Sequence, residues 1–262
     1  MQFLKNILKN IFNFFGVEIH KKNKYGKRTK LAEVLEHIAG LGLSPKTIID
    51  VGVANGTFEL YEMCPGAKHL LIEPLQEFED ALKRIALKYN AEFILAAAGR
   101  EKGTAIINVH HLFLEGSSLL KESEGNYADG TPREIPVVTI DDSCNEMGLK
   151  GPYLIKVDAQ GAELAVLDGA IRTLEDTEVI ILEVQLFQFL VNGPQFYDIV
   201  NYMKDHGFVT YEIFGGYNRP IDNALASVEM VFVKEKAMFR KDCLFATREQ
   251  REKLAKKPWD YK

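Results

Sequence analysis

The chain has 262 residues, 47% of them hydrophobic and 26% charged, the balance of an ordinary soluble globular protein. That length makes one large domain or two small ones and excludes disordered, collagen-like and mini-protein classes. The formal charge of −5 is uneven: residues 1–30 hold eight Lys/Arg and one acid, so the rest is acidic, a poor footprint for binding nucleic acid. Cys64, Cys144 and Cys243 are few, odd in number and far apart. They argue against a disulfide framework or structural zinc and point to a reducing, cytoplasmic compartment.

The first sixteen residues, MQFLKNILKNIFNFFG, place Phe3, Leu4, Ile7, Leu8, Ile11, Phe12 and Phe15 at helical spacing between Lys and Asn residues. This predicts an amphipathic helix. It is too interrupted to span a bilayer, which needs about 20 apolar residues, and no signal-peptide cleavage site follows. Either it packs on the domain or a second subunit, or it lies on an anionic inner-membrane surface with help from the basic stretch Lys21–Lys30. Residues 1–44 form this N-terminal segment, 45–235 the main domain and 236–262 a charged C-terminal extension.

From residue 45 strands and helices alternate. Strands are expected at 47–53, 69–74 and 92–99, with helices from Thr57 and over 76–88. Two further strands, 103–114 and 133–140, flank a polar loop at 115–132 with no helix between them. Alternation then resumes with strand 153–158, helix 161–174, strand 178–184 and helix 194–206. Strands 208–214 and 227–234 close the fold as an antiparallel edge hairpin. Continuous apolar runs mark buried parallel strands. The expected fold is therefore α/β, a doubly wound Rossmann-like sheet, mostly parallel, with strands inserted between the third and fourth core strands.

Ligands of such sheets sit beyond the carboxyl ends of the strands where strand order reverses. The first such end is Asp50-Val51-Gly52-Val53-Ala54-Asn55-Gly56, whose small residues let a ligand approach the backbone. A dinucleotide fingerprint would need glycine at 57, where Thr57 stands. The D-x-G-x-A-x-G form is similar to the loop of S-adenosylmethionine (SAM) dependent methyltransferases. Glu73, at the end of the second strand, is placed to accept both ribose hydroxyls of a bound nucleoside.

Together DVGVANGTF (50–58), IEP (72–74), AAAG (96–99), VVTIDD (137–142), IKVDAQGAELAVLDGA (155–170) and IILEV (180–184) resemble the FkbM-type methyltransferases over residues 47–234. The resemblance implies a class I methyltransferase fold, SAM as cofactor, and O-methylation of a hydroxyl on a sugar, glycan or other small metabolite. The cofactor residues are then Asp50, Gly52, Ala54, Asn55, Gly56, Glu73, Pro74 and Ala97. Two residues depart from the family. Ala54 stands where Asn is usual, and Gln160 where Glu is usual, removing a possible base or metal ligand.

The expected catalytic residues are Asp158, His111 and Glu183. Asp158 ends the fourth strand and either faces the crevice or caps the next helix. Of His110 and His111 one can face the cleft and take the hydroxyl proton, or both are structural. Glu183, in an apolar strand end, is either paired or turned to the crevice, because burying it alone is costly. Asp141 and Asp142 either cap the next helix or line the adenine or substrate side, and Glu163 suits a helix start. In the long loop, Ser117, Ser118, Asn126 and Tyr127 could bond a polyol. No metal site is assigned. The rival readings are a nucleotide- or NAD-linked Rossmann enzyme and a non-catalytic SAM-binding module. A base-modifying DNA methyltransferase is disfavoured, because Asp158-Ala159-Gln160-Gly161 stands where its two-proline motif after the fourth strand would be.

Overall fold

A computed structural model of the chain describes residues 26–125 and 128–255. The expected amphipathic helix of the first sixteen residues lies outside them, as do Asn126 and Tyr127. Among the described residues no helix is long and apolar enough to cross a membrane.

Seven strands form the main sheet: β1 (Thr47–Val51), β2 (Lys68–Glu73), β3 (Ala91–Leu95), β7 (Tyr153–Val157), β8 (Thr177–Gln185), β9 (Phe208–Asn218) and β10 (Leu225–Lys234). Their order is β3-β2-β1-β7-β8-β10-β9. The first five pair in parallel, and β10 enters antiparallel between β8 and β9. Every residue of β1 and β7 is buried, as central parallel strands require. From β1 the chain winds toward β3, and from β7 toward β9, so strand order reverses between β1 and β7. That switch point positions the site.

Helices cover both faces. α1 (Leu31–Gly40), α2 (Phe58–Met63) and α3 (Glu79–Lys88) bury Leu35, Ile38, Leu60, Leu82 and Ile85 against one face of the sheet. On the opposite face α4 (Ile140–Glu146), α5 (Glu163–Asp168), α6 (Ile171–Glu175) and α7 (Phe196–Asp205) bury Ile140, Val166, Leu174, Ile199 and Met203. α3 shows the helical logic plainly: Ala81, Leu82 and Ile85 turn inward while Glu79 pairs with Lys83 outside. α8 (Arg248–Ala255) follows β10 and buries nothing.

The inserted strands form a second sheet, ordered β4-β6-β5, from β4 (Ala97–Ala98), β5 (Gly103–Val109) and β6 (Thr131–Val138). Three expectations change here. The single strand at 92–99 breaks after Leu95, because Ala97 and Ala98 pair with Val137 and Val138 of the second sheet. The strand expected to reach 114 stops at Val109. The helix expected at 161–174 is two helices, divided at Gly169, where a side chain would lie 2.0 Å from the Gly99 carbonyl oxygen. Asp141 caps the second of these, accepting hydrogen bonds from the backbone of Arg172 and Thr173. Thr139 in turn caps α4 through the Asp142 amide.

Candidate functional site

A cavity of about 640 Å³ opens at the switch point, beyond the carboxyl ends of β1, β2, β7 and β8. This is within the size range of small-molecule pockets. Its first wall is the turn after β1. Gly52 lies at φ +75°, and a Cβ there would sit 1.9 Å from the Asp158 backbone oxygen, so the β1 and β7 turns meet only because residue 52 has no side chain. Ala54 is held in the same left-handed region at φ +45°. That is strained for an alanine and fits a functional turn.

Glu73 fastens this turn to β2. Its Oε2 accepts from the Ala54 amide at 2.9 Å and its Oε1 from the Leu75 amide at 2.9 Å. Burial pushes its carboxyl up to about 7, against those two hydrogen bonds. Each oxygen keeps a lone pair for a further donor. Gly52, Ala54, Asn55, Gly56, Glu73, Pro74 and Ala97 all line the cavity. Asp50 is not among its lining residues. It is fully buried under the turn, accepts the Tyr61 hydroxyl at 2.5 Å, and Tyr61 in turn accepts the Thr57 amide. Asp50 therefore supports the loop from beneath rather than facing a ligand.

The second wall is the turn after β7 with the end of β8. Asp158, Gln160 and Glu183 line it, together with Tyr217 of β9. Gln160 Nε2 donates to Asp158 Oδ1 at 2.9 Å and to Glu183 Oε2 at 3.0 Å. Burial, then the neighbouring Asp158 charge, pushes Glu183 up to about 8. Lys156 lies 3.4 Å from Asp158. Burial alone would lower the pKa of this ammonium group, but Asp158, Asp50 and Glu229 around it raise it, so the lysine stays charged. Glu163 holds the turn in shape: its Oε1 accepts from the amides of Ala159 and Gly161.

The loop between β5 and β6 crosses the mouth. Phe113, Leu114, Glu115, Ser117 and Leu119 line the cavity. Ser118 is committed elsewhere, donating to the Gln160 carbonyl at 2.7 Å. His111 does not reach the cavity. β5 ends at Val109, so strand alternation no longer orients residues 110 and 111. His111 is exposed and bonds Thr131 Oγ1 at 2.9 Å, while His110 packs 3.6 Å from Glu122. Sequence reasoning missed Lys156 and Tyr217. A lysine inside the apolar run YLIKVD was a signal for the first. Nothing local marked the second, which a strand longer than expected carries to the cavity.

The sequence matches the model of the FkbM methyltransferase domain over residues 50–210. The chain belongs to that family. Among solved structures, it resembles a putative SAM-dependent methyltransferase from Listeria monocytogenes at 10% identity and a TM-score of 0.46, over 79% of this chain and 100% of that one. It also resembles 1,6-didemethyltoxoflavin-N1-methyltransferase from Burkholderia thailandensis, bound to S-adenosylhomocysteine, at 11% identity and a TM-score of 0.42, over 78% and 76%. A putative RNA methyltransferase from Pyrococcus horikoshii follows at 16% identity and a TM-score of 0.40, over 86% and 97%. No curated protein sequence matches the chain. These structural likenesses are distant, and the fold assignment rests on the chain's own strand order and the family match.

As an FkbM methyltransferase the chain uses SAM as its methyl donor. The residues at the β1–β2 end fit it. The turn at Gly52 presents bare backbone, and Glu73 offers two acceptor oxygens at one strand end.

Proposed function

We propose that this methyltransferase acts on a hydroxyl oxygen of a sugar, glycan or other small metabolite, with Glu183 and Asp158 as the groups that receive the hydroxyl proton. The observation that carries this reading is a carboxyl pair lining the cavity, Asp158 and Glu183, bridged by the single side-chain amide nitrogen of Gln160. A hydroxyl is a weak nucleophile, and a base whose pKa lies near the working pH assists most, by roughly 10²–10⁴-fold. Glu183, pushed up to about 8, meets that condition.

When bound, SAM would supply an electrophilic methyl group on a positively charged sulfur, with a neutral thioether as the leaving group. The chain's residues do the rest. The β1 turn and Glu73 hold the donor, and holding two reactants in line lowers a barrier by roughly 7–11 kcal/mol in well-oriented systems. Glu183 takes the hydroxyl proton and Lys156 balances the charge beside it. Phe113 and Leu114 limit the water that reaches the site. The acidic floor repels phosphates and so favours a small polyol over nucleic acid. A cytoplasmic setting fits the free thiols of Cys64, Cys144 and Cys243.

The first test compares thermal shifts from SAM, S-adenosylhomocysteine, NAD and a nucleotide sugar on wild type and Glu73→Ala. Ligand at 100 times its Kd stabilises by roughly 2.7 kcal/mol. The expected result is a shift with the first two ligands alone, lost in the variant. Transfer of labelled methyl from SAM to a panel of polyols and glycans then identifies the acceptor. A base-stable methyl ether supports the reading, and a product methylated only on nitrogen or carbon overturns it.

A further inference from the structure

Gln160 combines three features at one position. Its backbone lies at φ +45°, a left-handed conformation that is strained for a non-glycine residue. Its carbonyl is tied by Ser118 Oγ to the loop crossing the cavity. Its side chain turns a single amide nitrogen toward two carboxyl groups, Asp158 Oδ1 and Glu183 Oε2. That orientation follows from hydrogen bonding, because a carboxyl oxygen that accepts pairs with the NH₂ end of the amide.

We propose that Gln160 is a positioning residue that clamps Asp158 and Glu183 into one proton-sharing carboxyl pair. The inference deepens the role given above to Glu183 and takes its catalytic meaning from that reading. Two carboxyl groups held this close do not both ionise unless donors or cations compensate them. On one side Lys156 faces Asp158 Oδ2. On the neighbouring strand β10, Glu229 pairs in register with Glu183 and has one carboxylate oxygen buried and without a hydrogen-bond partner. Glu163 neighbours Glu183, Asp50 neighbours Lys156, and Tyr217 neighbours both carboxyl groups and Glu122. Of these groups only Lys156 is a cation, so the pair depends on a neutral donor, and Gln160 provides it twice. Its two hydrogen bonds favour the ionised form and keep the pair's proton within reach of neutral pH. A carboxylate at position 160 would add a third negative charge instead.

Protonation of the pair can be read directly from infrared spectra of the full chain across pH, through the C=O stretch of a protonated carboxyl. The component lost in Glu183→Gln belongs to the pair and should titrate near pH 8 in wild type. In Gln160→Met, equal in length but without donors, and in Gln160→Glu, its midpoint should rise by about one pH unit or more. Both variants should keep the thermal shift with S-adenosylhomocysteine, which reports a folded cofactor end. Should one variant fail to fold, the other decides. An unchanged midpoint in a folded variant overturns the clamp. Methyl transfer to a hydroxyl with an unmoved midpoint removes the clamp and leaves the reaction. A clamp-dependent midpoint with no hydroxyl acceptor does the reverse.

Discussion

At the β1–β2 end of the cavity the polar contacts are made largely by backbone: the amides of Ala54 and Leu75 are fixed on Glu73, and Gly52 presses against the β7 turn. At the β7–β8 end they are made by side chains, Asp158, Gln160 and Glu183, with Tyr217 arriving from β9. The first end suits a ligand common to many enzymes, because a backbone-lined wall tolerates little change. The second suits an acceptor peculiar to one enzyme, because side chains can be exchanged without rebuilding the sheet.

The sharpest break of this contrast is Gly52→Ala. The new methyl would enter the Asp158 carbonyl at 1.9 Å and impose φ +75° on an alanine. We expect a loss of at least about 3 kcal/mol in urea unfolding, with SAM binding lost as the turns part. A change below 1 kcal/mol would mean that the two turns are free to separate, and that the backbone wall is no rigid element.

Glu183→Gln addresses the other end. It keeps the shape of the side chain and removes the proton acceptor. Turnover should fall by roughly 10²–10⁴-fold with SAM affinity unchanged, measured by single-turnover methyl transfer and ligand-induced thermal shift. In wild type the rate should climb as pH rises toward about 8, as Glu183 gives up its proton. An equal loss of cofactor affinity would erase the division between the two ends.

Much of the first end is legible in the sequence, and little of the second. The glycine spacing at 52–56 and the carboxylate at 73 follow from strand ends only a few residues away, where backbone geometry leaves few alternatives. Asp50 was misplaced because a motif gives position along the chain but not direction: the residue points under the turn. His111 was misplaced because β5 ends two residues before it. Asp158 and Glu183 were legible as acids at strand ends, but their partnership runs through Gln160. That contact requires a left-handed turn in the chain, which composition and periodicity do not reveal. The break at Gly169 was hidden for a similar reason, since its cause, the Gly99 carbonyl, lies far away in sequence.

Glu163 separates support from chemistry. Burial pushes its carboxyl up to about 7 from an ordinary 4.5, although one of its oxygens accepts two backbone amides. The folded state therefore holds the proton longer than the unfolded state. Stability is then greatest at low pH for this group and falls as pH rises from about 4.5 to about 7, levelling beyond. Glu163→Gln retains the oxygen that makes both contacts and removes the titration. The variant should be more stable than wild type above pH 7, by roughly 1–3 kcal/mol, with no difference below pH 4.5. Equal stability at all pH would mean that water reaches this carboxyl, and with it the floor of the acceptor end.

The smallest effect lies where the two ends touch. Asn55 Nδ2, on the cofactor turn, donates to Glu115 Oε1, on the loop over the mouth, at 3.1 Å and in full view of solvent. Exposed contacts of this kind change stability by about 0.5 kcal/mol or less. Asn55→Ala should therefore leave the fold intact and shift the Kd for SAM about twofold, as read by calorimetric titration. A tenfold weakening would show that the loop closes on the cofactor through this contact. The mouth would then belong to the backbone-built end, and the boundary between the two ends would move from the cavity floor to the loop itself.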